Sequence, residues 1–478
     1  MRRVRDIRAV PTLFLIVVVD LVGFGLVIPL LPFYAVRFVA SPQEVTALVA
    51  IYSLAQLMTA PLWGRLSDRV GRRPVLIVSL TASALAYLWL GGATASWMLF
   101  GARAFAGACA GNIAAAQAYI ADVTKPEDRA RGMGLIGAAF GLGFMIGPAL
   151  GGLLAGNDPV TADLETPAWV AAGLSALALL GVALLLPESL PAERRDGAPP
   201  ASRVGAVLSV LRRPVLSRLI LVNFLVLLAV AGMQSVFAIW AMPQLGWGPS
   251  RVGYVFAYIG LISAALQGGL IGRLTHYFGE ERLLLGGLAL IAGGLLVMPF
   301  AHHLPVLVGA VTALALGMGL TQPAINSLIS RRAGPEEQGE VMGVSQSATS
   351  LSRVLGPLAA GLFFAVFGRN SPYFLAAVLV AVTLLLALKL PRGRDAAQLA
   401  ETGPLGRRGI RRDEPARPSD KHRPGAPQGA SQGRASSSQI ACPLSVAARR
   451  VRAAGTGRAG GRLSPRWQAR QHLRAASL

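Results

Sequence analysis

The sequence predicts an all-α membrane protein of twelve transmembrane helices in two pseudo-symmetric six-helix bundles, followed by a disordered basic C-terminal tail. Three observations predict it. The 478 residues are 53% hydrophobic and only 14% charged, with mean hydropathy +0.54, whereas soluble domains carry about a quarter charged residues. Apolar stretches long enough to cross a ~30 Å hydrocarbon core, about 20 helical residues each, recur twelve times before residue 392. Segments of the first half also reappear in the second half in the same order.

The spans lie near 10–31, 45–64, 74–93, 97–121, 132–155, 167–187, 214–240, 250–272, 283–301, 304–330, 340–367 and 372–391. Arg2, Arg3, Arg5 and Arg8 precede the first, as in a secretory signal, but its apolar run exceeds the ~7–15 residues of a signal core. It is therefore read as a resident span. Lys and Arg in short loops stay on the cytoplasmic side. With the N-terminus inside, the outside loops carry only Arg37, Arg251 and Arg369, so both termini are expected in the cytoplasm. The polar segment 188–213, with Pro191, Pro199 and Pro200, reads as a linker between an N-terminal bundle (1–187) and a C-terminal bundle (214–391). The bundles share a register. Gly64, Arg65, Leu66 and Gly71 reappear as Gly272, Arg273, Leu274 and Gly279. Met133, Gly134, Gly147, Pro148 and Gly152 reappear as Met342, Gly343, Gly356, Pro357 and Gly361. Even-numbered halves of one topology make parallel repeats about an axis normal to the membrane. Residues 392–478 are rich in Arg, Ala, Gly, Pro and Ser, too poor in large apolar side chains to build a core. The tail is read first as a solvated or adventitious extension, dispensable for insertion and transport, with its charge available to anionic lipid as the competing reading and no specific nucleic acid as a partner.

Composition also bounds the chemistry. No GxxxxGK[ST] phosphate loop occurs, which excludes a P-loop ATPase. Cys109 and Cys442 have neither ligand spacing nor a disulfide framework around them. No catalytic residue, metal or cofactor is expected; energy must come from outside the chain. The charge that matters sits at a few positions. Gly64-Arg65-Leu66-Ser67-Asp68-Arg69-Val70-Gly71-Arg72-Arg73-Pro74 is a tight charged turn between the second and third spans. Anchoring by positive charge explains its arginines but not Asp68 or the flanking glycines, which permit close backbone approach. The first span reads Asp20-x-x-Gly23-x-Gly25-x-x-x-Pro29-x-x-Pro32, the fourth has Arg103, Gly107 and Gly111, and the fifth reads Gly143-x-x-x-Gly147-Pro148-x-x-Gly151-Gly152.

These motifs together resemble the major facilitator superfamily, and within it the twelve-helix drug:proton antiporters closest to tetracycline-efflux transporters. The likeness is strongest across the first five spans and absent from the tail. It implies the major facilitator fold, a monomer in the cytoplasmic (inner) membrane, and small-molecule export driven by protons through alternating access. It also implies a latch between the halves at Gly64, Asp68, Arg69, Gly71, Arg72 and Arg73, and an antiporter seam at Gly143, Gly147, Pro148, Gly151 and Gly152. Small residues that simply pack helices are the competing reading of that seam.

Asp20 falls near mid-membrane, where a carboxylate costs roughly 2.5–3.5 kcal/mol, so it is expected to face a cavity and exchange a proton. The alternative is a packing residue satisfied by serines or backbone. Arg103 joins Asp20 in proton coupling by resemblance, or else snorkels toward the cytoplasm. Asp122 closes the fourth span and can pair with Arg69 or Arg72. Arg353 in the eleventh span has Phe144 as its counterpart; it binds an anionic substrate, holds a gate or pairs structurally. Phe24, Asn112, Asn223, Gln234, Tyr258, Gln322, Asn326 and Arg353 are candidate cavity residues, a set suited to amphipathic compounds; each alone also serves as helix–helix glue. Ala86, Ile291 and Ser263 stand where tetracycline exporters carry acidic residues in the third and ninth helices and a His in the eighth. The resemblance thus implies the branch without implying its substrate. Uptake or exchange of a metabolite (a sugar, nucleoside or organic acid) and a non-transporting sensor or scaffold are the competing functions.

Overall fold

The computed structural model describes residues 2–38, 40–124, 129–159, 161–190, 209–210, 212–333 and 337–389. These belong to one compact unit, Met1–Ile410; most of the linker and the tail 392–478 lie outside the described residues. The described residues form helices and no strands, and twelve helices are long and apolar enough to cross a membrane. They are α1 (Ala9–Arg37), α2 (Pro42–Val70), α3 (Arg72–Gly91), α4 (Ser96–Val123), α5 (Gly132–Ala155) and α6 (Glu165–Leu185). The second half supplies α7 (Pro214–Leu245), α8 (Pro249–Phe278), α9 (Glu280–Phe300), α10 (Leu304–Arg332), α11 (Glu340–Phe367) and α12 (Ser371–Leu388).

Several helices outrun their apolar stretch because their ends are capped locally. α2 starts with a capping box: Ser41 N donates to Glu44 Oε2 at 2.7 Å, the Ser41 hydroxyl accepts from Glu44 N, and Pro42 occupies the first turn. α6 starts on Asp163, whose carboxylate accepts from Glu165 N and Thr166 N at 3.0 Å each. Those bonds and the Thr166 hydroxyl hold the carboxyl of Asp163 below the usual carboxylate range.

The packing repeats between halves. α1 lies against α5 and α6, α3 against α4 and α6, and α2 against α4; likewise α7 lies against α11 and α12, α9 against α10 and α12, and α8 against α10. The halves touch through α2 with α11 and α5 with α8, two contacts that the same two-fold exchanges.

Those contacts run from one end to about mid-helix, with Gly260 against Met145 and Gly141 against Ala264 as the last of them between α5 and α8. Gly361 abuts Thr46, Gly152 lies 2.9 Å from Pro249 O at the place where a Cβ would sit, and the Ser250 hydroxyl donates to Gly152 O at 2.6 Å. Toward the other end the tight turn expected over 64–74 is corrected: α2 continues through Gly64 to Val70 and the chain turns at Gly71 alone, and a Cβ on Gly64, Gly134, Gly137, Gly268, Gly269, Gly272 or Gly343 would meet nothing within 4 Å. The halves therefore part toward the arginine-rich end. α8 carries a π-turn at Leu266–Leu270 just where it leaves α5, a local register change of the kind that bends membrane helices.

Candidate functional site

Asp20 is the one acidic side chain of the spans placed away from a first or last turn among the described residues. Its surroundings are built by a break in α4. The helix stops at Ala108 and restarts at Asn112, and the backbone groups freed there are taken up by neighbours. Trp63 Nε1 donates to Ala108 O at 2.7 Å, the Ser79 hydroxyl donates to Cys109 O at 2.7 Å, and Gly111 N donates to Ser79 Oγ at 3.0 Å. Such satisfaction is what an interrupted membrane helix requires. The restart brings Asn112 to the positive end of a half-helix, where its amide donates to Asp20 Oδ2. The Ser175 hydroxyl of α6 donates to Asp20 Oδ1 at 3.5 Å.

Asp20 is consequently only 5% exposed. The expectation that it faces a cavity is corrected: it is enclosed between α1, α4 and α6 because an amide and a hydroxyl supply the donors that water would have supplied. Asn112, expected to line the cavity, is instead the partner of Asp20.

Arg103 is 4% exposed and does not snorkel. Its guanidinium lies 4.4 Å from the centroid of the Tyr52 ring, and its Nε has no hydrogen-bond partner. Gly107 lets α4 approach so closely that a Cβ would collide with Tyr52 O. The face of Tyr52 is thus presented to Arg103 by the glycine one turn along. Tyr52 also packs against Phe24 (ring centroids 5.3 Å), and Phe24 against Phe144 (6.2 Å, edge to face). Arg353 is exposed yet lies within electrostatic range of Tyr52, across the boundary between α2 and α11. It pairs with no carboxylate among the described residues.

In the second half, Asn223 donates to Thr349 Oγ1 at 3.2 Å and to Ser345 Oγ at 3.4 Å, and Gln322 donates to Asn223 Oδ1 at 3.4 Å. Asn223 is fully buried, so it ties α7 to α10 and α11 rather than lining an open space. Gln234 is half-buried, Asn326 is exposed, and Tyr258 is exposed and bonded to Thr312 of α10 at 2.9 Å.

At the arginine-rich end, Arg72 bonds Asp68 at 2.5 Å and Asp122 at 3.0 Å, which selects Arg72 over Arg69 as the partner of Asp122. Glu188, just past α6, accepts from Arg72 N at 2.9 Å and Arg73 N at 3.1 Å, closing the start of α3. All these bonds stay within the first half. A separate recess of about 460 Å³ is lined by Thr59, Leu62, Trp63, Arg65, Leu66, Arg69 and Ala108, at the inner ends of α2 and α4 and away from Asp20.

The seam glycines have two partners. Gly143, Gly147 and Gly151 lie against Leu21, Val22 and Leu26 of α1, whereas Gly152 and the Pro148 carbonyl meet Pro249, Ser250 and Gly253 of α8. One face packs the half and the other joins the halves.

Sequence reasoning missed Tyr52, Ser175 and Glu188. A lone Tyr or Ser in an apolar span carries no signal of its own. Glu188 was findable as an acid following a span that ends beside four arginines.

The Major Facilitator Superfamily model matches residues 13–274 and again 224–441. The chain is 34% identical over 349 residues to the class C tetracycline resistance protein of Escherichia coli, covering 72% of this chain and 86% of that one. It is 28% identical to multidrug resistance protein 2 of Bacillus subtilis, over 80% and 96% of the two chains. Among solved structures, the human organic anion transporter MFSD10 (TETRAN) aligns with a TM-score of 0.61 at 27% identity, over 80% of this chain and 99% of that one. A bacterial homologue of the lysosomal transporter Spinster, captured inward-facing, aligns with a TM-score of 0.66 at 14% identity over 80% and 96%, a likeness of fold alone.

Proposed function

The chain belongs to the major facilitator superfamily and is a multi-pass membrane transporter rather than an enzyme, and we propose that it exports small amphipathic organic compounds in exchange for protons. Export proceeds by alternating access across the cytoplasmic (inner) membrane, with both termini and the arginine-rich end in the cytoplasm. It needs no cofactor, because the proton gradient supplies the energy. The observation that carries this reading is Asp20: a carboxylate enclosed mid-span, held by two neutral donors and by no cation. Neutral donors let such a group alternate between carboxylate and acid, which a salt bridge would forbid. Arg103, with an unsatisfied Nε in α4, shares Tyr52 and Tyr87 with Asp20 as electrostatic neighbours, a route by which it can respond through those rings when Asp20 changes charge. The opening toward the arginine-rich end supports reading this as the state that loads from the cytoplasm. Relatives named for tetracycline and multidrug resistance support drug-like cargo.

In everted vesicles energised to an acidic interior, adding a transported compound from a drug panel should collapse the proton gradient. Asp20→Asn removes the exchangeable proton with little change of shape, and should reach the membrane folded yet give no such signal. Wild-type proton flux in that variant would sink the assignment.

A further inference from the structure

The charges carried mid-span do not balance. Asp20 supplies one negative charge, and its partners are Asn112 and Ser175. Arg103 and Arg353 supply two positive charges, and neither has a carboxylate partner among the described residues. The remaining acidic side chains of the spans sit in first or last turns. A guanidinium at mid-span costs free energy unless an anion or water meets it.

Position makes Arg353 the cation a cargo can reach. It is exposed, whereas Arg103 is closed off beneath the ring of Tyr52. The contact of Thr46 with Gly361 fixes how α2 runs against α11, and the same antiparallel run carries Arg353 to the level of Tyr52. The facing wall of the first half is aromatic: Phe24 and Phe144 are half-buried, pack edge to face, and continue onto Tyr52. Phe144 occupies in α5 the place that Arg353 occupies in α11. The duplicated scaffold thus sets an apolar surface opposite a cation.

We infer that Arg353 binds the anionic group of the cargo, and that the transported compounds are aromatic amphipathic anions such as aryl carboxylates or sulfonates. The carboxylate meets the guanidinium fork of Arg353, with the two-point match that a lysine ammonium lacks. The ring lies on Phe24 and Phe144, and the charge of Arg103 adds attraction without contact. The inference rests on the export reading for direction and adds the charge of the cargo. Export of an anion while protons enter moves positive charge inward on both legs, so an inside-negative potential accelerates it.

The test uses the full chain in liposomes and three probes of one shape: 1-naphthylacetate, its neutral amide and 1-naphthylmethylamine. Binding is read by quenching of tryptophan fluorescence, and transport by counterflow of radiolabelled naphthylacetate. Naphthylacetate should bind at least about tenfold more tightly than the amide or the amine, the size expected of a charge-assisted hydrogen bond. Arg353→Gln should erase that preference, and Arg353→Lys should keep part of it, which guards against loss of fold. A wild-type preference for the amine or amide, or an acetate preference that survives Arg353→Gln, overturns the inference. If a panel cation drives proton flux while none of the three probes binds, export stands and the anion inference falls. If naphthylacetate binds through Arg353 and counterflows, but no compound moves protons, the anion site stands and proton-coupled export falls.

Discussion

The arginine-rich ends of the two halves are built on the same turn with opposite charges. Gly71 and Gly279 both take positive φ, 108° and 77°, each linking one span to the next. The residue that follows is Arg72 in the first half and Glu280 in the second. Its partner at the far end of the next hairpin is Asp122 in one and Arg331 in the other, with contacts of 3.0 and 3.2 Å. A helix N-terminus favours negative charge, so Glu280 suits the start of α9 by itself and needs only the Ser327 hydroxyl, 2.6 Å away. Arg72 at the start of α3 opposes the dipole, and the first half recruits Glu188 to accept from the exposed backbone N–H groups of Arg72 and Arg73. Duplication kept the ion pair and lost its polarity. The half whose polarity runs against its helix carries the extra carboxylate.

The comparison breaks most visibly at Arg72. Its side chain is 10% exposed and is the shared partner of Asp68 and Asp122. Arg72→Ala leaves those two carboxylates beside Glu188 with no cation between them. We expect a loss of about 2–3 kcal/mol, the range for charged hydrogen bonds and below that of a fully buried pair, because Asp68 is 63% exposed. Chemical unfolding of the purified protein in detergent measures it. If Arg72→Ala costs no more than the matching change at Arg331, polarity has no energetic consequence here.

The break between the second and third spans was legible in the sequence, though not that Gly64–Val70 prolongs α2 and leaves only Gly71 to turn, and so were the twelve spans, because apolar length and arginine placement are written along the chain. The partners were not. Asp122 sits fifty residues from Arg72 and Glu188 more than a hundred, and only the packing of α3 on α4 and α6 brings them together. Asp20 shows the same limit. Its membrane depth follows from counting residues, but its enclosure depends on the break in α4 that aims Asn112 at it. That break hangs on Ser79 and Trp63, two residues with no motif. The inverted pair could have been read from the repeat, since Arg72 and Glu280 each follow a matched glycine; charge reversal hides such a match from any search for identity.

Glu188 sharpens the comparison. Glu188→Ala removes the acceptor for two backbone N–H groups at the start of α3 and should cost about 1 kcal/mol, as loss of a helix cap does. Hydrogen exchange should quicken at the amides of Arg72 and Arg73 and stay unchanged at the start of α9. Glu188→Gln, which keeps an acceptor but not the charge, should fall between the two. Equal quickening at both helix starts would mean that Glu188 acts on the whole end of the molecule and not as a local cap.

The smallest effect belongs to Arg331. Its side chain is 73% exposed while Glu280 is 8% exposed, so the arginine loses little by solvation and its attraction is screened by water. Glu280 keeps the Ser327 hydroxyl and the α9 dipole when Arg331 is gone. Arg331→Ala should therefore change stability by no more than about 0.5 kcal/mol, and that small change should fade further as salt is raised. Unfolding curves at low and high ionic strength decide it. A loss as large as that of Arg72→Ala, persisting in high salt, would show that the exposed partner carries the second half's end after all, and that reversing the pair changed its sign without changing its weight.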